Sequence, residues 1–160
     1  MQQKITPFLW FDDNAEEAVN FYISIFKNSK KGKVTYYDEE IAKAAKMPVG
    51  SALVIPFEIE GQQFLAFNGG PVFKFNESIS FVVNCDSQKD IDYFWEKLSA
   101  VKEAEQCGWL KDKFGLSWQI VPAILGELMS DPDPEKAKRV SKAMLQMKKI
   151  DIDQLKKAAD

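Results

Sequence analysis

The chain repeats itself, and the repeat limits the possible folds before any element is assigned. Asn14, Glu17, Ala18, Phe21, Tyr22 and Ile25 recur 73 residues later as Ser87, Asp90, Ile91, Phe94, Trp95 and Leu98. Each copy has a polar cap, an acidic residue at the third helical position and apolar residues at helical spacing, so each predicts an amphipathic helix. The register runs back through Phe8 and Phe81, Trp10 and Val83, and Asp13 and Asp86. The segments 5–11 and 79–85 that carry these residues are apolar enough to be strands buried on both faces.

The far end of each half repeats as well. Phe67-Asn68 with Pro71 matches Trp118-Gln119 with Pro122 at an offset of 51, which against 73 leaves the first half 22 residues longer. The surplus falls at 36–50, which reads as a short helix or a mobile flap. Between helix and last strand, strands are expected over 32–38, 52–60 and 63–68, with a hairpin at Glu60-Gly61. In the second half they are expected over 102–106, 108–111 and 116–121, with a turn at Phe114-Gly115.

Each half therefore reads βαβββ. The expected fold is α+β: two tandem βαβββ modules, 4–71 and 77–122, forming a cupped mixed sheet, followed by C-terminal helices over 123–160. At 160 residues one domain is expected. In the C-terminal segment Ala137, Val140, Met144 and Met147 form an apolar stripe that reads as core, opposite lysines. Asp151 and Gln154 predict the start of a last helix.

With 21 basic and 24 acidic residues the net charge is −3, too little field to attract nucleic acid or an anionic membrane. A small-molecule ligand fits better. The apolar run Pro7 to Phe11 is too short for a signal or a membrane span, so a cytoplasmic location is expected. Cys85 and Cys107, the two cysteines, read as reduced thiols rather than a disulfide framework. The chain has no histidine, so neither thiol has an imidazole to activate it.

Several runs are specific enough to carry a resemblance. They are Phe67-Asn68-Gly69-Gly70-Pro71-Val72-Phe73, Cys107-Gly108-Trp109-Leu110, Phe114-Gly115-Leu116-Ser117-Trp118-Gln119-Ile120-Val121-Pro122, Asp131-Pro132-Asp133-Pro134 and the tail Met147-Lys148-Lys149-Ile150-Asp151. With the tandem modules they resemble the vicinal oxygen chelate superfamily of glyoxalases, extradiol dioxygenases and antibiotic-resistance proteins. More narrowly they resemble its PhnB-like branch, whose members carry the label 3-demethylubiquinone 3-methyltransferase domain.

The resemblance implies a homodimer and a metal site on the first and last strands of each half. The positions it points to here are Gln119, four residues after Gly115, and Asn68 in the last strands, with Ser80 and Pro7 in the first. Neutral amides, a hydroxyl and a proline do not hold a divalent transition metal, so no metal and no other cofactor is expected. Asn68, Ser80 and Gln119 are instead candidate hydrogen-bonding groups for a polar ligand; alternatively, the two amides satisfy strand ends or each other. Trp10, Phe73, Phe75, Trp109 and Trp118 are candidates to line the same cup or to fill the core. Asn68-Gly69-Gly70 reads as an anion cradle or, better, a tight turn.

Three readings of function follow. One is a metal-free module binding a small organic molecule, with catalysis left open and no catalytic residue assigned. A second is a metal-dependent enzyme of the glyoxalase type recruiting Glu58, Glu77 or Asp112. A third is a dimeric structural or interaction protein. No glycine-rich loop stands between a strand and a helix, so the methyltransferase label is not expected to be literal.

Overall fold

A computed structural model describes residues 3–160. Its contacts divide the chain into two compact units, one running to Phe75 and the other from Asn76 onward. The fold is α+β, with an open mixed sheet in each unit and helices at the C-terminal end, as expected.

The first unit runs β1 (Phe8–Phe11), α1 (Ala15–Ile25), β2 (Ser29–Lys31), β3 (Thr35–Tyr36), α2 (Glu39–Ala45), β4 (Ala52–Ile59) and β5 (Gln62–Asn68). Its sheet has the order β1-β5-β4-β2, with β3 also on β4, and only the β1 to β5 pairing is parallel. The β4–β5 hairpin turns at Glu60-Gly61, with φ of 47° and 81°. Two left-handed residues make the two-residue turn whose twist matches that of the strands.

The strand expected over 32–38 is instead split into β2 and β3. The break lies opposite Pro56, which has no N–H to give the ladder, although Gly32 N–H still reaches its carbonyl at 2.7 Å. The surplus segment forms α2, capped by Asp38, whose side chain accepts from Ile41 N–H at 2.8 Å. Its root is pinned by buried Tyr37, whose hydroxyl donates to the Asn68 carbonyl at 2.6 Å. The core lies between α1 and one face of the sheet: Ala18, Val19 and Tyr22 pack over Ile55, Phe57, Phe64 and Ala66.

The second unit runs β6 (Ser80–Cys85), α3 (Gln88–Leu98), a 3-10 turn (Lys102–Ala104), β7 (Trp109–Lys111), β8 (Ser117–Pro122), α4 (Leu125–Met129), α5 (Pro134–Leu145) and α6 (Ile152–Ala159). The sheet order is β6-β8-β7, with β6 parallel and β7 antiparallel to β8. Segment 102–106, expected as a strand, is that turn followed by one bridge from Gln106 to Trp109. Local bonds explain the difference: buried Glu105 accepts from Ser99 Oγ at 2.6 Å and Lys102 Nζ at 2.9 Å, which curls the chain back on itself.

Helices α1 and α3 start 73 residues apart and have equal length, as the repeat requires. Ser87 caps α3 and also bonds Asp90, its third helical residue, as expected. Asn14 makes no such bond to α1. In the tail, Asp151 caps α6 through Gln154 N–H, and Arg139 of α5 donates to the terminal carbonyls of α6 at 3.0 and 3.1 Å. Val140 and Met147 are buried, although α5 ends at Leu145 and Met147 lies beyond it.

Candidate functional site

Strand alternation sorts the candidate residues by face, because successive side chains point to opposite sides of a sheet. On β8, Trp118, Ile120 and Pro122 are buried on the side covered by α3, together with Cys85 of β6, and half-buried Val83 shares that side. Ser117, Gln119 and Val121 point the other way. Ladder partners share a face, so Ser80, Val82 and Asn84 of β6 and Trp109 and Lys111 of β7 join them on the open face.

Two rows cross that face. One is Ser80, Ser117 and Lys111, each directly opposite the next across the ladder; the other is Val82, Gln119 and Trp109. The rows are tied by one bond, Gln119 Nε2 donating to Ser80 Oγ at 2.9 Å. Ser117 is 1% exposed and its hydroxyl has no hydrogen-bond partner among the described residues. Such a group is costly to bury, so it marks a place where a partner fits. Lys111 reaches out to Glu77 at the rim. That hydrogen bond first, and Glu77's own backbone second, hold the Glu77 carboxyl below the usual carboxylate range.

The other candidates lie elsewhere. Asn68 is buried on the α1 side of the first sheet, its Oδ1 accepting from Ala15 N–H at 2.8 Å and its Nδ2 donating to the Ala52 carbonyl at 3.0 Å. Both ends of its amide are engaged with backbone. Trp10 and Phe73 meet edge to face at 4.9 Å on the open side of the first sheet, and Trp10 Nε1 donates to the Gly70 carbonyl at 2.9 Å. Phe75 packs on Phe11 at 5.2 Å. Trp118 is in the core, donating to Asp112 Oδ2 at 2.8 Å. A groove of about 370 Å³ on the first unit is lined by Lys30, Pro56, Glu58, Gln63 and Leu65 among others; Glu58 borders it, but none of the candidate ligand-binding residues does.

The match of Phe67-Asn68 to Trp118-Gln119 is corrected by the ladders. Phe11 pairs with Asn68 and its carbonyl accepts from Gly69 N–H; Cys85 pairs with Pro122 and its carbonyl accepts from Ala123 N–H. The residue equivalent to Asn68 is thus Pro122, and the one equivalent to Gln119 is Leu65. The sequence match was off by an odd number of residues, which exchanges the two faces of a strand. The anion-cradle reading of Asn68-Gly69-Gly70 also falls, since the Gly69 and Gly70 amides donate to Phe11 and Asp12 carbonyls. A Cβ on Gly69 would lie 2.2 Å from the Trp10 ring. Close packing requires the glycine.

The carboxylates weighed as metal ligands are each engaged separately. Glu58 pairs with Lys30 at 3.1 Å and Glu77 with Lys111, while Asp112 accepts from Phe114 and Leu116 N–H and from Trp118. Among the described residues no three cysteine, aspartate or glutamate side chains converge. Around Gln119 the donors are neutral oxygens, a poor fit to the divalent metal that the superfamily implies.

Ser117 and Lys111 lie outside the positions where relatives place an ion, so the resemblance does not point to them. Alternation was the available signal: Ser117 lies two residues before Gln119 and so shares its face.

The family model named 3-demethylubiquinone-9 3-methyltransferase matches residues 3–121. Among curated proteins none matches. Among solved structures, a Bacillus cereus PhnB protein bearing the same methyltransferase name is 33% identical, with 76% of this chain and 100% of that one covered and a TM-score of 0.63. A Pseudomonas aeruginosa protein is 17% identical over 76% of this chain and 98% of its own, with a TM-score of 0.56. A fosfomycin resistance protein of Listeria monocytogenes is 16% identical over 79% and 96%, at 0.52, and shares the fold. The chain belongs to the PhnB-like 3-demethylubiquinone-9 3-methyltransferase family and has the glyoxalase-like fold of the vicinal oxygen chelate superfamily.

Proposed function

We propose that this protein binds a small organic molecule on the open face of its second sheet, without a metal, and that the methyltransferase name does not describe its chemistry. The observation that carries the reading is the Gln119–Ser80 bond on a half-exposed face beside the buried hydroxyl of Ser117, which has no partner among the described residues. A few polar groups set among Val82, Trp109 and Val121 are the usual make-up of a small-molecule site. Trp10 and Phe73 offer a further apolar surface on the first unit.

A methyl donor of the adenosylmethionine kind is ordinarily held by a glycine-bearing turn between a strand and a helix of a doubly wound sheet. Here the strand-to-helix turns are Asp12-Asp13-Asn14, Tyr37-Asp38, Asp86-Ser87 and Ala123-Ile124, none with a glycine, and neither sheet is doubly wound. The residues do not fit that group.

Native mass spectrometry and thermal shifts against a library of small organic compounds test the reading. Stabilisation of the wild type that is lost in Gln119→Leu supports it; a library that stabilises neither protein overturns it. Transfer of a labelled methyl group to a quinone precursor would overturn the second half of the proposal.

The chain is also proposed to act as a homodimer in the cytoplasm. Exposed Phe8, Val72 and Ile79 offer apolar surface for a second copy, and two free cysteines suit a reducing compartment. No helix among the described residues is long and apolar enough to cross a membrane. Light scattering that gives a monomer mass refutes the dimer.

A further inference from the structure

We infer that the ligand of this face is a monocarboxylate with a short apolar body, its carboxylate seated on Ser80, Ser117 and Lys111. The inference rests on the reading above and deepens it.

The row Ser80, Ser117, Lys111 lies side by side on three strands, with backbones about 5 Å apart. All three side chains have a hydrogen to give. Ser80 Oγ already accepts from Gln119, which leaves its own hydrogen free. The Ser117 hydroxyl, 1% exposed, has no partner among the described residues. Lys111 carries three donors and directs one at Glu77.

A row made of donors is complemented by a group that only accepts. An ionised carboxylate is such a group, with two oxygens and about four lone-pair sites. A neutral alcohol brings its own hydrogen and leaves a donor unmatched, and an ammonium is repelled by Lys111. The row holds one positive charge, so a monoanion is balanced and a dianion is not. The protein itself supports the choice, because the Glu77 carboxylate already sits on Lys111, 61% exposed and so free to give way.

The body of the ligand is set by the next rows. Val82, Trp109 and Val121 share the face, and Val82 is 51% exposed. Rows on one face repeat at roughly 7 Å along a strand, so a chain of five or six carbons anchored on the first row covers the second.

The test is a titration of the isotope-labelled full chain followed by amide and indole NMR shifts at neutral pH and low salt. The probes are hexanoate, hexan-1-ol and hexylammonium, on wild type, Ser117→Ala, Lys111→Met and Glu77→Gln. Hexanoate is expected to move Ser80, Lys111, Ser117 and Trp109 saturably and to bind at least about tenfold more tightly than hexan-1-ol. Lys111→Met should lose about tenfold and Ser117→Ala about fivefold, the latter with no fall in melting temperature. Glu77→Gln should tighten binding about two- to fivefold by freeing the ammonium.

Equal binding of hexan-1-ol at these residues overturns carboxylate recognition and leaves the small-molecule reading standing. Wild-type affinity for hexanoate in both Ser117→Ala and Lys111→Met overturns the row as its seat. If neither hexanoate nor any member of the library of small organic compounds moves these signals, the small-molecule reading falls as well.

Discussion

Asn68 caps a helix that begins 53 residues before it: its Oδ1 accepts the Ala15 N–H at 2.8 Å, at the first turn of α1. Its Nδ2 closes on the Ala52 carbonyl and its own carbonyl receives the Tyr37 hydroxyl. One buried residue thus joins α1 and β4 through its side-chain amide and the root of the α2 segment through its main chain.

The predicted cap, Asn14, and the actual one, Asn68, should therefore respond oppositely to mutation. Asn68→Ala leaves a buried donor and acceptor unmatched and is expected to cost about 3 kcal/mol in urea unfolding. Asn14→Ala, which removes no cap bond, is expected to stay within about 0.5 kcal/mol of wild type. Equal effects would show that the cross-chain cap does not hold the helix.

Asp112 organises the turn into β8. It is 1% exposed and accepts from Phe114 and Leu116 N–H and from the Trp118 indole. Asp112→Ala strips three donors of their partner and is expected to destabilise by about 4 kcal/mol, with a red-shifted tryptophan emission as the indole loses its partner and gains water. A loss under about 1 kcal/mol would contradict this role.

Glu105 makes stability depend on acid. Burial alone raises its carboxyl, but the Ser99 and Lys102 hydrogen bonds and the Lys102 and Lys148 charges outweigh it, so the folded-state value lies below the ordinary one. A depressed carboxylate contributes stability above its unfolded value, and the contribution is lost as pH falls through the folded one. Wild type should therefore lose more stability than Glu105→Gln below about pH 4.5, as followed by thermal unfolding. Parallel curves would remove Glu105 from the acid response.

The two thiols should differ in reactivity. Burial first, then the charges of Asp90 and Asp86, push the Cys85 thiol up to about 12, whereas Cys107 is partly exposed. Only a thiolate attacks an alkylating agent. Iodoacetamide at mildly alkaline pH should modify Cys107 alone in the folded protein and both cysteines in urea, read by intact mass. Fast modification of Cys85 in the native state would refute its burial.

What the sequence by itself determined is what neighbouring residues decide among themselves. The two helices recur at a spacing of 73, Ser87 and Asp151 cap where a cap-and-third-residue pattern predicts, and Glu60-Gly61 turns a hairpin. These depend on side chains reaching their own backbone within a turn, so the order of residues suffices to read them. Segment 102–106 shows the limit, because a strand needs a partner strand, and Glu105 found closer bonds to Ser99 and Lys102.

Tertiary structure alone decided which residues share a face. Phe67-Asn68 and Trp118-Gln119 look alike in sequence, but the ladders set Asn68 against Phe11 and Gln119 against Val82, so one amide faces a helix and the other the open side. Ser117 and Lys111 acquire their meaning in the same way, from strands that pair across a turn and through the return of β6 alongside β8. Side chains alternate with a period of two, so an odd slip in register sends every residue to the opposite face. Register is settled by the pairing of distant strands and by what each face must bury.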